Sequence, residues 1–286
     1  MRGSLDRPRV VGLWCAAGSV GLGLAYMAAA GAPARYLALN AAALLLGATA
    51  WLGIGPQVSS RLARNGWPVV ALALPLLATA LFGSAIEGAS RWLFIGAISV
   101  QVSLVLVPAL IVLFARSGDA AATVGIGMAA LALAAQPDRA MAGVLVAATA
   151  AVALCRAGWL PSIAFAMALA AFGATMLQAD ELPAVPFVDR ILYTAFDIHF
   201  TAGLGVVSGC LILVLPALSR GFDGKKQSAI AAFGATWAAV SIAAALGNYP
   251  TPLVGYGGSA VLGYVLSVAL LPGGETVGAV AAAGET

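Results

Sequence analysis

Glu87-Gly88-Ala89-Ser90-Arg91-Trp92-Leu93-Phe94-Ile95-Gly96, running on to Gln101 and Ser103, is the stretch on which the fold turns, because it sets an arginine and an indole between runs that are almost wholly hydrocarbon. To either side the chain is apolar for about the 17 to 25 residues that cross a bilayer. Of 286 residues 62% are hydrophobic and 9% charged, and the mean hydropathy is +1.01, so a soluble globule could not be covered with polar surface. The composition predicts an all-α integral membrane protein. No mixed-composition stretch is long enough to fold as a soluble domain, and residues 1–286 read as one polytopic membrane domain.

Dividing the chain at its polar punctuation gives ten candidate transmembrane helices, over 10–30, 36–53, 67–82, 100–115, 120–135, 140–155, 159–177, 200–218, 228–246 and 254–271. Several are short for a full span, so their ends borrow flanking residues or lie beside protein-lined polar cavities. Charge supports the count. With both termini cytoplasmic, Arg2, Arg7, Arg9, Arg61, Arg64, Arg116, Arg156, Arg220, Lys225 and Lys226 fall inside, and Arg35, Arg91, Arg139 and Arg190 outside. Ten against four is the positive-inside bias, and dropping one helix would scramble it. The expected topology has short inner tails at 1–9 and 272–286 and an outer connection at 178–197.

Six of eleven acidic residues, Glu87, Asp138, Asp180, Glu181, Asp189 and Asp197, then lie on the outer face, which makes that face the place to look for chemistry. The net charge of +3 is too small and scattered for nucleic acid. Cys15, Cys155 and Cys210 sit in apolar runs without ligand spacing and read as packing residues. The basic start could be taken for a signal peptide, but its apolar run exceeds the roughly 7 to 15 residues of such a segment and reads as the first span.

Arg91 and Trp92 fit two roles, an interfacial anchor that snorkels to lipid phosphates or part of a site. Gln101 and Ser103, at the outer start of the next span, need hydrogen-bond partners if buried. Gln136-Pro137-Asp138-Arg139 is either a solvated turn with a local ion pair or part of the same site. Gly255-Tyr256-Gly257-Gly258-Ser259 can hardly begin a regular helix and could offer backbone N–H groups to an anion such as a pyrophosphate. It is not a phosphate loop, since no Gly-Lys-Ser/Thr follows. His199 fits a proton carrier or a structural residue at a helix mouth. No zinc, heme or Ser-His-Asp pattern is present.

Read in order, these segments resemble the SEDS family of bacterial cell division, elongation and sporulation proteins (FtsW, RodA and SpoVE), over most of the chain from 61 to 271. Arg61-Leu62-Ala63-Arg64 before Trp67-Pro68 resembles the family's basic turn ahead of its third span. Gly88-Ala89-Ser90-Arg91-Trp92-Leu93 with Gln101 and Ser103 is similar to N-G-A-x-R-W-I…Q-P-S-E, and Gln136-Pro137-Asp138 to Q-P-D-L-G. Pro250 to Ser259 is similar to P-x-P-F-I-S-Y-G-G-S, and Asp197 with Phe200, Gly203 and Gly205 is a looser counterpart of T-D-F-I-F…G. The chain departs from the pattern where Val102 and Leu104 replace the family's Pro and Glu, and Val107 its Lys. The outer connection before Asp197 is also cut to a short loop.

The resemblance implies a peptidoglycan glycosyltransferase that polymerises lipid II, beside a class B penicillin-binding transpeptidase. Asp197 would be the base, with Asp189 and Asp180 as alternatives. Arg91, with Arg190 or a divalent cation such as Mg2+, would stabilise the leaving pyrophosphate. Trp92, Gln101, Ser103, Asp138, Tyr256, Gly257, Gly258 and Ser259 complete the expected substrate site. Two rivals are a non-catalytic scaffold that binds lipid II or a penicillin-binding protein, and a lipid-linked sugar transporter. The transporter predicts ionisable groups within the spans, and almost none are present.

Overall fold

The computed structural model describes residues 8–86, 89–96, 98–178, 183–219 and 222–273, so Glu87, Gly88, Asp180 and Glu181 lie outside the described residues. Each of the ten predicted segments holds a helix. In chain order the helices are α1 (Pro8–Ala29), α2 (Ala34–Gly53), α3 (Pro56–Leu62), α4 (Trp67–Phe82), α5 (Val102–Ser117), α6 (Ala120–Ala135) and α7 (Arg139–Cys155). There follow α8 (Trp159–Met176), α9 (Ile191–Ile198), α10 (Phe200–Ile212), α11 (Gly224–Leu246) and α12 (Gly258–Ala269). Four of them, α1, α2, α8 and α11, are long and apolar enough to cross a membrane alone, and α3 with α4 forms a fifth candidate bent by 81°. The shorter apolar helices α5, α6, α7, α10 and α12 make up the ten.

Three boundaries differ from expectation for local reasons. The stretch around Arg91 is not a plain connection but a three-stranded antiparallel sheet of β1 (Ser84–Ile86), β2 (Ala89–Ile95) and β3 (Ile98–Gln101). Trp92 pairs with Gln101 and Ile95 with Ile98, and Gly96 supplies the positive φ of +60° that the turn demands. Helix α10 stops at Ile212 and passes into a 3-10 turn over Leu215–Leu218, where Pro216 cannot continue the ladder. Helix α12 starts only at Gly258, because the glycine-rich run before it stays irregular.

Helix α5 is the hub. It buries Val107, Leu110, Ile111, Val112, Leu113 and Phe114 and packs against α4, α6, α11 and α12. Small residues set the spacing, as the alanine- and glycine-rich sequence predicts. A Cβ on Gly263 of α12 would stand 2.1 Å from the Leu104 carbonyl oxygen of α5. Large apolar side chains such as Leu81, Phe82, Leu154, Leu211 and Leu246 point outward, an apolar exterior suited to lipid.

Polar ties fix the ends. The Asp119 carboxylate accepts from the Ala122 amide at 2.9 Å and from the Gly66 amide at 2.8 Å, capping α6 while holding the start of α4. His199 caps α10 by accepting from the Thr201 amide at 3.2 Å, the structural role open to it from sequence. The three cysteines are free thiols.

Candidate functional site

The β2–β3 hairpin folds back on the start of α5, so that Arg91 is only 3% exposed and Gln101 and Ser103 are buried. The partners these two polar residues require are present. Ser103 Oγ donates to Asp138 Oδ2 at 2.7 Å, and Gln101 Nε2 reaches the same oxygen at 3.3 Å. The other oxygen, Oδ1, accepts from the Met141 amide at 3.2 Å, making Asp138 the N-cap of α7. Arg91 donates to the carbonyl of Pro137, the residue before that carboxylate.

Gln136-Pro137-Asp138 is therefore a buried junction and not a solvated turn. Arg139 turns to the carbonyls of Thr175 and Gln178.

A second wall comes from the connection before α9 and the loop before α12. Asp189 bridges Pro250, the Thr251 amide donates to Val188 O at 2.9 Å, and the Tyr256 amide donates to Phe187 O at 2.6 Å. Asp189 is 8% exposed and accepts from the Val185 amide at 2.8 Å. Burial pushes its carboxyl above the ordinary value, and the Val185 N–H only partly opposes the shift.

Asn40 holds the glycine-rich run from beneath. Its Nδ2 donates to Gly255 O at 2.7 Å and its Oδ1 accepts from the Gly257 amide at 3.1 Å. Tyr36 stacks on Tyr256 with ring centroids 3.8 Å apart. Neither residue was singled out in the sequence, although an asparagine in an alanine-rich span is the kind of intramembrane polar group that signals a specific partner. Ser259 accepts from the Gln101 amide at 3.0 Å, which closes the two walls on each other.

Between the walls lies a cavity of about 340 Å³ whose lining includes Arg91, Gln101, Asp189 and Tyr256 together with Leu104, Met141 and Val144. Two more cavities adjoin it. One of about 660 Å³ lies among α7, α8 and α11 and shares Ala140, Val144 and Ala243 with the central cavity. The other, of about 540 Å³, runs between α2, the hairpin and α12 and shares Trp92, Gln101 and Tyr256 with it. All three cavities are mostly apolar, and the central one is set apart by carrying both Arg91 and Asp189 on its wall, an arrangement able to take a charged group with a hydrocarbon chain attached.

The structure gathers Arg91, Trp92, Gln101, Tyr256, Gly257, Gly258 and Ser259 around these cavities, with Ser103 and Asp138 bracing them from behind. Asp197 and Arg190 are placed apart. Both are exposed, Arg190 at the N-cap of α9 with φ +58° and Asp197 near the end of that helix, and neither lines any of the three cavities. A divalent cation fits the described residues poorly. Among the described residues Asp189 is the one carboxylate lining the central cavity, and they contain no group of three His, Cys, Asp or Glu side chains able to hold a metal.

The fold is that of a polytopic, all-α membrane protein. The crystal structure of the rod shape determining protein RodA from Thermus thermophilus superposes with a TM-score of 0.66 at 20% identity, covering 91% of this chain and 94% of that one. An aspartate-to-alanine mutant of the same Thermus protein gives 0.64 at 18% identity, with the same coverage. No protein-family model and no curated protein matches the sequence. At such identity the likeness shows the shared fold, and it agrees with the co-linear motifs that resemble the SEDS family.

Proposed function

We propose that this chain is a SEDS-type glycosyltransferase of a bacterial cytoplasmic membrane, polymerising lipid II or a related polyprenyl-linked sugar at its outer face. The observation that carries the proposal is the central chamber, where a buried guanidinium and a buried carboxylate line one cavity that adjoins two others of mostly apolar lining. The reaction requires the same pair of groups. A hydroxyl of the acceptor sugar attacks the anomeric carbon of the donor, a base takes the hydroxyl proton, and the bond to the lipid pyrophosphate breaks with its electrons leaving on the phosphate oxygen. Arg91, itself buried at the cavity wall, stabilises that departing charge.

Asp189 is the base that the geometry favours over Asp197. It faces the chamber, and a carboxylate whose proton affinity is raised by burial is the better proton acceptor. The flanking apolar cavities take the proximal parts of polyprenyl chains. A class B penicillin-binding protein is the proposed partner, since glycan strands need cross-linking once made. Polymer formed from labelled lipid II by the purified wild type, and lost in Asp189→Asn, supports the proposal; no polymer from a folded wild type opposes it.

The scaffold reading has its own observation. Val102, Leu104 and Val107, which stand where the resemblance leads one to expect Pro, Glu and Lys, are packed at 6% exposure or less. Charges absent from α5 have been replaced by core. Copurification of a transpeptidase with a wild type that makes no polymer would favour the scaffold.

A further inference from the structure

The end of the bundle opposite the chamber holds a second cluster of charge. Arg9, in the first turn of α1, is 6% exposed, donates to Ile54 O and lies 5.6 Å from the centre of the Trp51 ring. Arg116, in the last turn of α5, donates to Ser59 Oγ and to Leu270 O, each at 2.6 Å. Arg9 holds the chain just before α3 and Arg116 holds its middle, so the two guanidinium groups sit about one short segment, near enough for each charge to act on the other. No carboxylate among the described residues pairs with either.

Three buried donors here have no hydrogen-bond partner: Arg9 Nε, Arg9 Nη1 and Trp51 Nε1. All three are donors, and none is an acceptor. One buried and one half-buried cation with surplus N–H groups, and no anion among the described residues, form an incomplete electrostatic unit. The residue chemistry that completes it is a group with several acceptor oxygens and negative charge, which a phosphate supplies. Helix α1 begins and α5 ends here, at a level where a spanning helix meets headgroups.

We propose that Arg9, Arg116 and Trp51 form a binding site for a phosphate group, supplied by the headgroup of an anionic membrane lipid. The phosphate oxygens accept from the three unpartnered donors and relieve the repulsion between the guanidiniums. The site locks the starts of α1 and α3 to the ends of α5 and α12. It is separate from the chamber and does not depend on the reaction proposed there.

The test uses the full chain in neutral detergent, titrated with phosphatidylglycerol, phosphatidylcholine or inorganic phosphate while the melting temperature is followed. Phosphatidylglycerol near saturation raises the wild-type Tm by about 5–10 °C, and phosphatidylcholine leaves it unchanged. The shift vanishes in Arg9→Gln and in Arg116→Gln and persists in Arg35→Gln. An equal shift from inorganic phosphate alone upholds the phosphate site and assigns it a soluble occupant. Equal shifts from both lipids, or shifts retained in the two glutamine variants, overturn it. Should those variants not fold, native mass spectrometry of the wild type decides. Preferential retention of phosphatidylglycerol upholds the site, and equal retention of the two lipids overturns it.

Discussion

The hydroxyl of Ser103 donates to the carboxylate of Asp138 across 2.7 Å, joining the first turn of α5 to the N-cap of α7. Asp138 is fully buried, and the same carboxylate caps α7 and receives Gln101. Asp138→Ala therefore leaves the Ser103 hydroxyl, the Gln101 amide and the Met141 N–H without their acceptor at once. The expected loss is about 2–4 kcal/mol of stability, against about 1 kcal/mol for Ser103→Ala, read from thermal unfolding in detergent. Equal small losses would mean that the junction is not a unit.

Asn40 ties together two backbone groups of a loop that lies far from it in sequence. Asn40→Ala frees the Gly255 carbonyl and the Gly257 amide, at about 1–3 kcal/mol for a buried group left unsatisfied. Hydrogen exchange localises the effect. Faster exchange at Gly257 with little change in α6 is the expected pattern.

Helix α12 approaches α5 through a missing side chain. Gly263→Ala sets a methyl against the Leu104 carbonyl, whose oxygen would be 2.1 Å away, so the helices must separate. The expected destabilisation is about 1–3 kcal/mol, as for other overpacked sites. Gly273→Ala, with open space around its Cβ position, is the matched control for the same melting experiment.

The raised affinity of Asp189 for a proton fixes the sign of a pH effect. Its folded-state pKa lies above the ordinary 3.8, so the folded protein binds more protons than the unfolded chain between the two values. Stability contributed by this group is highest below 3.8, falls as pH rises toward the folded value, and stays low beyond it. Asp189→Asn is accordingly more stable than wild type at neutral pH, with the difference closing under acid. A melting curve series against pH checks this, and a difference that widens under acid would contradict the burial of an ionisable group.

Much of the fold was legible because burying backbone in lipid forces long apolar helices, and the ten runs are separated by prolines, glycines and arginines. The hairpin was not legible. Leu93, Phe94 and Ile95 are consecutive apolar residues without alternation, and their strand character comes from pairing with residues 98–101. Arg91, Gln101, Tyr256 and Ser259 were found as a set because each is a polar or irregular interruption. Their meeting across 158 residues, as in the bond from Gln101 to Ser259, is a tertiary fact. Asp189 and Asp197 look alike in sequence, eight residues apart on one outer connection. Only the bridge from Asp189 to Pro250 turns one of them toward the chamber.

The central claim is that Arg91 and Asp189 act together on a lipid-linked sugar. It is tested most directly by glycan formation from labelled lipid II with the wild type, Arg91→Gln, Asp189→Asn and Asp197→Asn, each first shown to be folded. The account predicts polymer from the wild type and from Asp197→Asn, and a loss of about 10²–10⁴-fold in Asp189→Asn, the range for a removed general base. Arg91→Gln should lose activity alongside it. Polymer from Asp189→Asn at the wild-type rate, with none from Asp197→Asn, would contradict the account and return the base to the exposed end of α9.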